Sequence, residues 1–384
     1  MRRLAILLAL VLATTLLAAG AAFTQAPEGE DANPYIVVLK ESVDDPSRVA
    51  EGIDQRQEGF ELGFVYTNAL EGFSAKIPDD SVDEVRDNPQ VEYVERDNVV
   101  RATAQTLPWG VDRIGADESS TKAGNGRGKV SNVNVYIIDS GIDKSHPDLN
   151  VVGRKSFHGS KKGDCYGHGT HVAGTLAARD NSKSVVGVAP GAPLTSVKVL
   201  GCQGSGREAQ VIKGVDWVTN HAIKPAVANL SLSGRASDDD FALDQAVIDS
   251  ANDGIFYSVA AGNQGKDACK RTPARAGTNN GIVTTAAIRS SGEEASYSNF
   301  GSCVDLWAPG SRILSTKLGG GTSTMSGTSM ASPHVGGTGA LYLSNNTGAS
   351  PADVESALKA QADRTGSTSK DHVTPVLLVD ASGF

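Results

Sequence analysis

The sequence predicts an α/β protein whose mostly parallel central sheet is preceded by a small α+β unit. Three observations carry that prediction. From Val130 onward, short apolar runs rich in β-branched residues alternate with helical patterns, as expected for strands covered by helices on both faces. Residues 35–97 pattern instead as β-α-β-β-α-β. Charge also changes where these two patterns meet. Residues 1–101 hold 9 Lys+Arg and 19 Asp+Glu, a net of -10, and residues 102–384 hold 26 and 25, a net of +1. So sharp a shift points to two units with different fates.

In the first unit, Tyr35–Leu39 reads as a strand and Pro46 to about Glu58 as a helix. Strands are expected around Phe60–Tyr66 and Gly72–Ile77, a helix over Asp79–Asn88, and a last strand over Val91–Glu95. This order is the ferredoxin-like pattern, and about 65 residues is marginal for independent stability. In the second unit the strands are Val133–Ile138, Leu194–Val199, Val227–Leu232, Ile255–Ala260 and Ile282–Ala287. Its helices begin near His168, Arg207, Phe241 and Ser329. Sites in such sheets form at the C-terminal ends of strands.

The ends and the composition set the compartment. Met1-Arg-Arg runs into an apolar stretch over Leu4–Leu17 and then Ala19-Gly-Ala21, the layout of a secretory signal peptide and too short to span a membrane. Hydrophobic residues at 39% and charged residues at 21% exclude disorder, collagen and coiled coil. A formal charge of -9 argues against a nucleic-acid binder, and no later segment is apolar enough to span a membrane. The product is read as secreted. All four cysteines (Cys165, Cys202, Cys269, Cys303) follow residue 101. In an oxidising compartment they predict two disulfides, with three pairings open and no CxxC pair to suggest zinc. Asn229-Leu-Ser231 and Asn345-Asn-Thr347 fit a glycan acceptor pattern.

Chemistry concentrates in four blocks. The strand Val133–Ile138 ends in Asp139-Ser-Gly, a carboxylate placed to face a cleft. Gly167-His168-Gly-Thr-His171 opens a helix, whose N-terminus would keep His168 neutral and able to accept a proton. The two histidines could instead bind metal, but the Glu of the His-Glu-x-x-His pattern is absent. Ala260-Ala261-Gly262-Asn263 follows an apolar strand and offers an amide to a developing oxyanion. Gly327-Thr-Ser329-Met-Ala-Ser-Pro-His334 places a hydroxyl and a backbone N–H at a helix start. The glycine-rich Gly124–Lys129 precedes a strand rather than following one, so it reads as a solvated loop and not a phosphate site. Asp, His and Ser in that order on an α/β scaffold are the parts of a catalytic triad.

These blocks resemble the signature segments of the subtilisin-like serine proteases over roughly residues 105–384. Residues 35–97 resemble that family's propeptide inhibitor domain through Tyr35-Ile-Val-Val-Leu, Gly72-Phe-Ser-Ala and Val91-Glu-Tyr-Val. Within the family the chain is similar to the proteinase K and aqualysin branch, in Pro108-Trp-Gly-Val-Asp-Arg-Ile114 and in the surroundings of its cysteines. The resemblance implies a subtilisin-like three-layer fold and three segments: a signal peptide over 1–21, an inhibitor and chaperone propeptide over 22–101, and a peptidase domain over 102–384. It implies the pairs Cys165–Cys202 and Cys269–Cys303, with His168 rather than His171 as base, Asp139 as its partner, Ser329 as nucleophile and Asn263 in the oxyanion hole.

Further implications concern substrate, metal and partners. Extended substrate would pair with Gly204-Ser205-Gly206 and Ser231-Leu232-Ser233-Gly234, with Ala260–Gly262 lining a first pocket for apolar or aromatic residues. Ser233 stands where relatives carry glycine, so pocket preference transfers less directly. Calcium would bind at Asp305 with carbonyls from Ala276–Gly281, a stretch longer than in close relatives. The implied partners are protein and peptide substrates and the chain's own propeptide as intramolecular inhibitor, and the enzyme is expected to be a monomer. An exported inactive binding protein is the rival reading, and an ester hydrolase is disfavoured because G-x-S-x-G is missing around Ser329.

Overall fold

The computed structural model describes residues 32–56, 59–98, 105–237 and 241–384. The predicted signal peptide and the junction at residues 99–104 lie outside the described residues. The chain divides between Arg101 and Ala102 into two compact units.

The first unit contains β1 (Ala32–Leu39), α1 (Pro46–Asp54), β2 (Glu61–Thr67), β3 (Glu71–Pro78), α2 (Val82–Arg86) and β4 (Val91–Arg96). Its strands lie in the order β2-β3-β1-β4, with neighbours antiparallel. Helix α1 starts where Asp45 accepts the Arg48 N–H and Pro46 supplies a preset φ. One face of the sheet buries Val37, Phe73 and Ile77 against Ala50 and Val85. Both helices are shorter than predicted. Gln57 and Glu58 fall outside the described residues, and Asp79–Ser81 precede α2 as a turn.

The second unit begins with α3 (Trp109–Arg113), β5 (Asn134–Asp139), β6 (Val151–Ser156), α4 (His168–Ala177), β7 (Leu194–Lys198), α5 (Glu208–His221) and β8 (Ala226–Leu230). It continues with β9 (Gly234–Arg235), α6 (Ala242–Asn252), β10 (Ile255–Ala260), β11 (Arg271–Thr272), β12 (Ile282–Ile288), β13 (Leu306–Pro309), β14 (Ile313–Thr316) and β15 (Thr322–Met325). Helices α7 (Thr328–Asn345) and α8 (Pro351–Gln361) and strands β16 (Asp363–Thr368) and β17 (Pro375–Leu378) complete it.

Nine of these strands form one sheet in the order β16-β17-β13-β12-β10-β8-β5-β7-β6. Every neighbouring pair is parallel except β16 with β17. Helices α4 and α7 cover one face, burying Val172, Leu176, Val335 and Leu341 with Val135 and Ile137. Helices α5 and α6 cover the other, burying Val215, Val218 and Val247 with Ile138, Val197 and Tyr257. Chain order reverses direction around β5, with β6 and β7 on one side and β8 on the other, and a cleft at such a switch point is where ligands bind.

Cysteines 165 and 202 are bonded, as are 269 and 303, with Cα separations of 4.9 and 5.3 Å. Links across 37 and 34 residues each remove roughly 3–4 kcal/mol of loop entropy from the unfolded chain. The Gly124–Lys129 loop is occupied from within. Asp180 accepts the N–H groups of Gly126, Arg127 and Gly128 at 2.9–3.2 Å, filling the backbone nest that an anion would need. Asn229 is fully buried, which removes it as a glycan acceptor.

Candidate active site

Asp139 is the last residue of β5 and is fully buried. Its Oδ1 accepts the Ser140 N–H at 2.6 Å, and its two oxygens lie 2.8 and 3.0 Å from His168 Nδ1. The carboxylate is thereby fixed, and the proton on the imidazole is held at Nδ1 with Nε2 left as the acceptor. Burial pulls the His168 pKa down, but the Asp139 charge and hydrogen bond outweigh it, so the net shift is upward. The Asp139 carboxylate therefore outweighs the helix N-terminus, which by itself would disfavour the imidazolium.

Helix α4 has no side chain at its N-cap, Gly167, whose φ is +98°. Asp164 does that work from three residues upstream: it accepts the N–H groups of Tyr166, Gly167 and Thr170 and the hydroxyls of Ser140 and Thr170. Close approach also dictates Gly169, where a Cβ would collide with the Gly141 carbonyl. Lys198, almost wholly buried, donates to the carbonyls of Ser140 (2.5 Å) and Leu200 (2.7 Å), tying the loop after β5 to the loop after β7. Burial holds its pKa below the usual lysine value, opposed by Asp164 and Asp139.

His171 is not in this constellation. It is fully buried, and its Nε2 donates to the carbonyls of Ile313 and Ser323 at 3.0 and 3.1 Å. Burial pushes its pKa to about 4, and that of buried His334 likewise to about 4. Both values lie below the unfolded value near 6.5, so the unfolded chain binds more protons and the stability each confers is lost as pH falls from about 6.5 to about 4. The loss amounts to up to about 3 kcal/mol per residue. His168, shifted upward, acts in the opposite sense. Melting temperature is expected to drop steeply across that window, and a flat profile there would contradict the buried neutral state of the two histidines.

Ser329 is the second residue of α7. Four residues on stands Pro333, which has no N–H to return to the Ser329 carbonyl. Ser231 Oγ supplies the missing donor at 2.8 Å, and the Ser329 hydroxyl donates to the Ser231 carbonyl at 3.1 Å. Behind it, Asn229 donates to Ser231 Oγ and accepts from Ser332, a buried polar chain from β8 into α7. In this conformation the Ser329 hydroxyl bonds to Ser231 rather than to His168, a looseness common before substrate binds.

Asn263 is oriented by Thr328, whose N–H and hydroxyl both donate to Asn263 Oδ1 (2.8 and 3.0 Å), while Gly262 N–H donates to the same hydroxyl. A backbone N–H can only meet an acceptor, so the amide's Nδ2 must face the other way. A methyl built on Gly327 would sit 3.2 Å from that Nδ2 and 3.6 Å from the Ser329 amide nitrogen, so the two donors flank one space. Thr328 sets this geometry and was not singled out by sequence, although its place beside Ser329 could have suggested it.

Gly204–Gly206 and Ser231–Gly234 line a cavity of about 350 Å³ together with His168 and Ser329. Tyr166, half-exposed, also lines it, with its ring against Gly204, where a Cβ would come within 2.5 Å. Ala260 and Ala261 are buried and do not line this cavity. Ser233 Oγ stands 3.0 Å from where a Cβ on Gly262 would be, so its extra side chain narrows the gap between the two segments.

Asp305 does not fit the calcium role implied for it. Its Oδ1 is paired with Lys359 Nζ at 2.6 Å, and its Oδ2 accepts the Thr284 N–H at 2.8 Å. The Ala276 carbonyl is likewise engaged, by Asn279 N–H and Nδ2 at 2.9 and 3.1 Å. An ammonium thus stands where a cation would be coordinated. Among the described residues no group of three or more His, Cys, Asp or Glu could hold a metal ion.

Comparison with known proteins agrees with this architecture. Residues 130–374 match the subtilase family, and residues 34–103 match the peptidase inhibitor I9 family. The extracellular serine proteinase of Thermus sp. (strain Rt41A) is 40% identical over 350 residues, covering 86% of this chain and 82% of that protein. Subtilisin NAT of Bacillus subtilis subsp. natto is 36% identical over 370 residues, covering 95% and 94%. The solved structure of a cold adapted subtilisin-like serine proteinase superposes with a TM-score of 0.63 at 38% identity, covering 73% of this chain and 99% of that one. The chain is a serine endopeptidase. It belongs to the subtilase family, with an I9 inhibitor domain ahead of the peptidase domain.

Proposed function

We propose that the chain is a secreted endopeptidase that cleaves peptide bonds through an acyl-enzyme at Ser329. The observation that carries this reading is the doubly held His168–Asp139 pair beside Ser329 at the start of α7. Ser329 Oγ attacks the scissile carbonyl carbon and passes its proton to His168 Nε2, while Asp139 stabilises the resulting imidazolium. The oxyanion accepts from Asn263 Nδ2 and the Ser329 N–H. Collapse breaks the C–N bond, and His168 returns the proton to the departing amine. Water, deprotonated by the same histidine, then frees the acyl group.

Residues 1–21 would direct export and be removed, and residues 22–101 would guide folding, occupy the cleft and be cleaved off, leaving an enzyme that acts as a monomer from about residue 102. The extracellular Thermus relative supports export, and no helix among the described residues is long and apolar enough to cross a membrane. Cleavage should be broad, favouring apolar or aromatic residues in a pocket beside Ala260–Gly262, because pairing through backbone reads little sequence. Subtilases commonly bind calcium, but the reading assigns none to Asp305.

A fluorophosphonate probe tests the central claim. It should label Ser329 alone and abolish peptide hydrolysis, and activity surviving complete labelling would sink the mechanism. Asn263→Ala is expected to fold and bind substrate with little change in KM while kcat falls about 10²–10³-fold. An unchanged kcat in a folded variant would remove Asn263 from the oxyanion hole.

A further inference from the structure

The far end of the cleft carries a charge that the proposed reading does not use. Ser231 is bonded to Ser329 in both directions, and Gly234 follows three residues later in extended β9, about 10 Å further along at the rise of a strand. Substrate running antiparallel to this segment has its scissile residue at Ser231 and its upstream residues toward Gly234. There the cavity floor is apolar, formed by Leu200, Val211, Leu232 and Leu243. Glu208, the first residue of α5, lines the same space. Its Oε1 lies 3.1 Å from the point a Cβ on Gly234 would occupy, and glycine leaves that approach uncovered. Glu208 is the one carboxylate lining the cavity among the described residues, and no lysine or arginine lines it.

An apolar floor ending at a carboxylate matches a side chain with a hydrocarbon stem and a cationic head. We propose that Glu208 makes this end of the cleft select lysine or arginine three residues upstream of the residue in the first pocket. A carboxylate has about four acceptor positions, so contacts inside the protein leave room for a substrate ammonium or guanidinium. An acidic side chain at that position meets like charge and is disfavoured. The proposal rests on Ser329 as nucleophile and on Ser231–Gly234 as the substrate-pairing segment.

The test uses the mature enzyme secreted from the full chain, with active sites counted by fluorophosphonate labelling. Four-residue chromogenic amides of the form X-Ala-Ala-Phe are compared with X as lysine, norleucine (the same stem without charge) or glutamate. Lysine is expected to exceed norleucine in kcat/KM by about 2–5-fold, the range of a partly exposed ion pair, and glutamate to fall below it. The lysine advantage should shrink in 1 M salt. Glu208→Gln should bring the lysine-to-norleucine ratio to one, and Glu208→Lys should invert it. A wild-type ratio of one, or a ratio that survives Glu208→Gln, overturns the proposal. Failure of every peptide together with failure of Ser329 to label would overturn the underlying reading instead.

Discussion

Ser329→Ala is expected to leave residues 22–101 attached and to lower kcat by on the order of 10⁶-fold, the cost of removing a nucleophile whose histidine then has nothing to activate. Both effects have one cause if the junction near residue 102 is the first peptide bond the enzyme cleaves. The fold should survive. The Ser329 side chain donates a single hydrogen bond, to the Ser231 carbonyl, and the bond from Ser231 Oγ to the Ser329 backbone carbonyl is untouched by the substitution. N-terminal sequencing of the two secreted proteins separates the outcomes. Wild type should begin near residue 102 and the variant near residue 22. A variant processed at the same place, at a rate independent of added active enzyme, would falsify self-cleavage at Ser329.

The parts of the molecule that sequence made legible are those in which one local signal dominates. Ile255–Ala260 is an apolar run interrupted only by Ser258, and its strand has the predicted ends. The strand ending at Asp139 is displaced by one residue. Strands β6 and β16 carry no such signal: Val151-Val-Gly-Arg-Lys-Ser has two apolar residues, and Asp363–Thr368 is exposed throughout, as edge strands can be. Helix α8 stands outside the predicted helices, although Ser350 with Pro351 and Asp353 forms a capping box with proline at the first turn. At the site, motif and chain order led to Asp139, His168, Asn263 and Ser329. The residues that hold them, Asp164, Lys198 and Thr328, have ordinary local readings as turn, strand and helix-start residues. Their roles exist only once β5, β7 and the starts of α4 and α7 meet in space. Glu208 likewise reads as a first-turn carboxylate, and only the packing of α5 beside Gly234 turns it toward the cleft.

The calcium expectation at Asp305 failed for the same reason, since Lys359 lies 54 positions further along the chain, and its replacement by methionine has the largest expected effect on stability. Lys359 Nζ is 2.6 Å from Asp305 Oδ1 and 2.6 Å from Glu355 Oε1, and Glu355 Oε2 accepts the Gly281 N–H at 2.6 Å. Both carboxylates keep only 10% side-chain exposure. Burial already pushes Asp305 up to about 6 despite the ammonium beside it. Lys359→Met therefore leaves two buried carboxylates with no counter-charge, at a cost of about 3–5 kcal/mol. In a unit of this size that corresponds to a melting temperature lower by on the order of 10 °C. The deficit should be full at pH 8. It should shrink as pH falls through 6 and below, because protonating one carboxyl removes the repulsion that the missing ammonium had offset. Millimolar calcium should recover part of the loss in Lys359→Met and shift the parent less, since only the variant offers two unpaired carboxylates. Both proteins are best compared in the Ser329→Ala background, where self-digestion cannot distort the melt. Equal melting of variant and parent at pH 8 would show that the ammonium does not hold these carboxylates in the folded state.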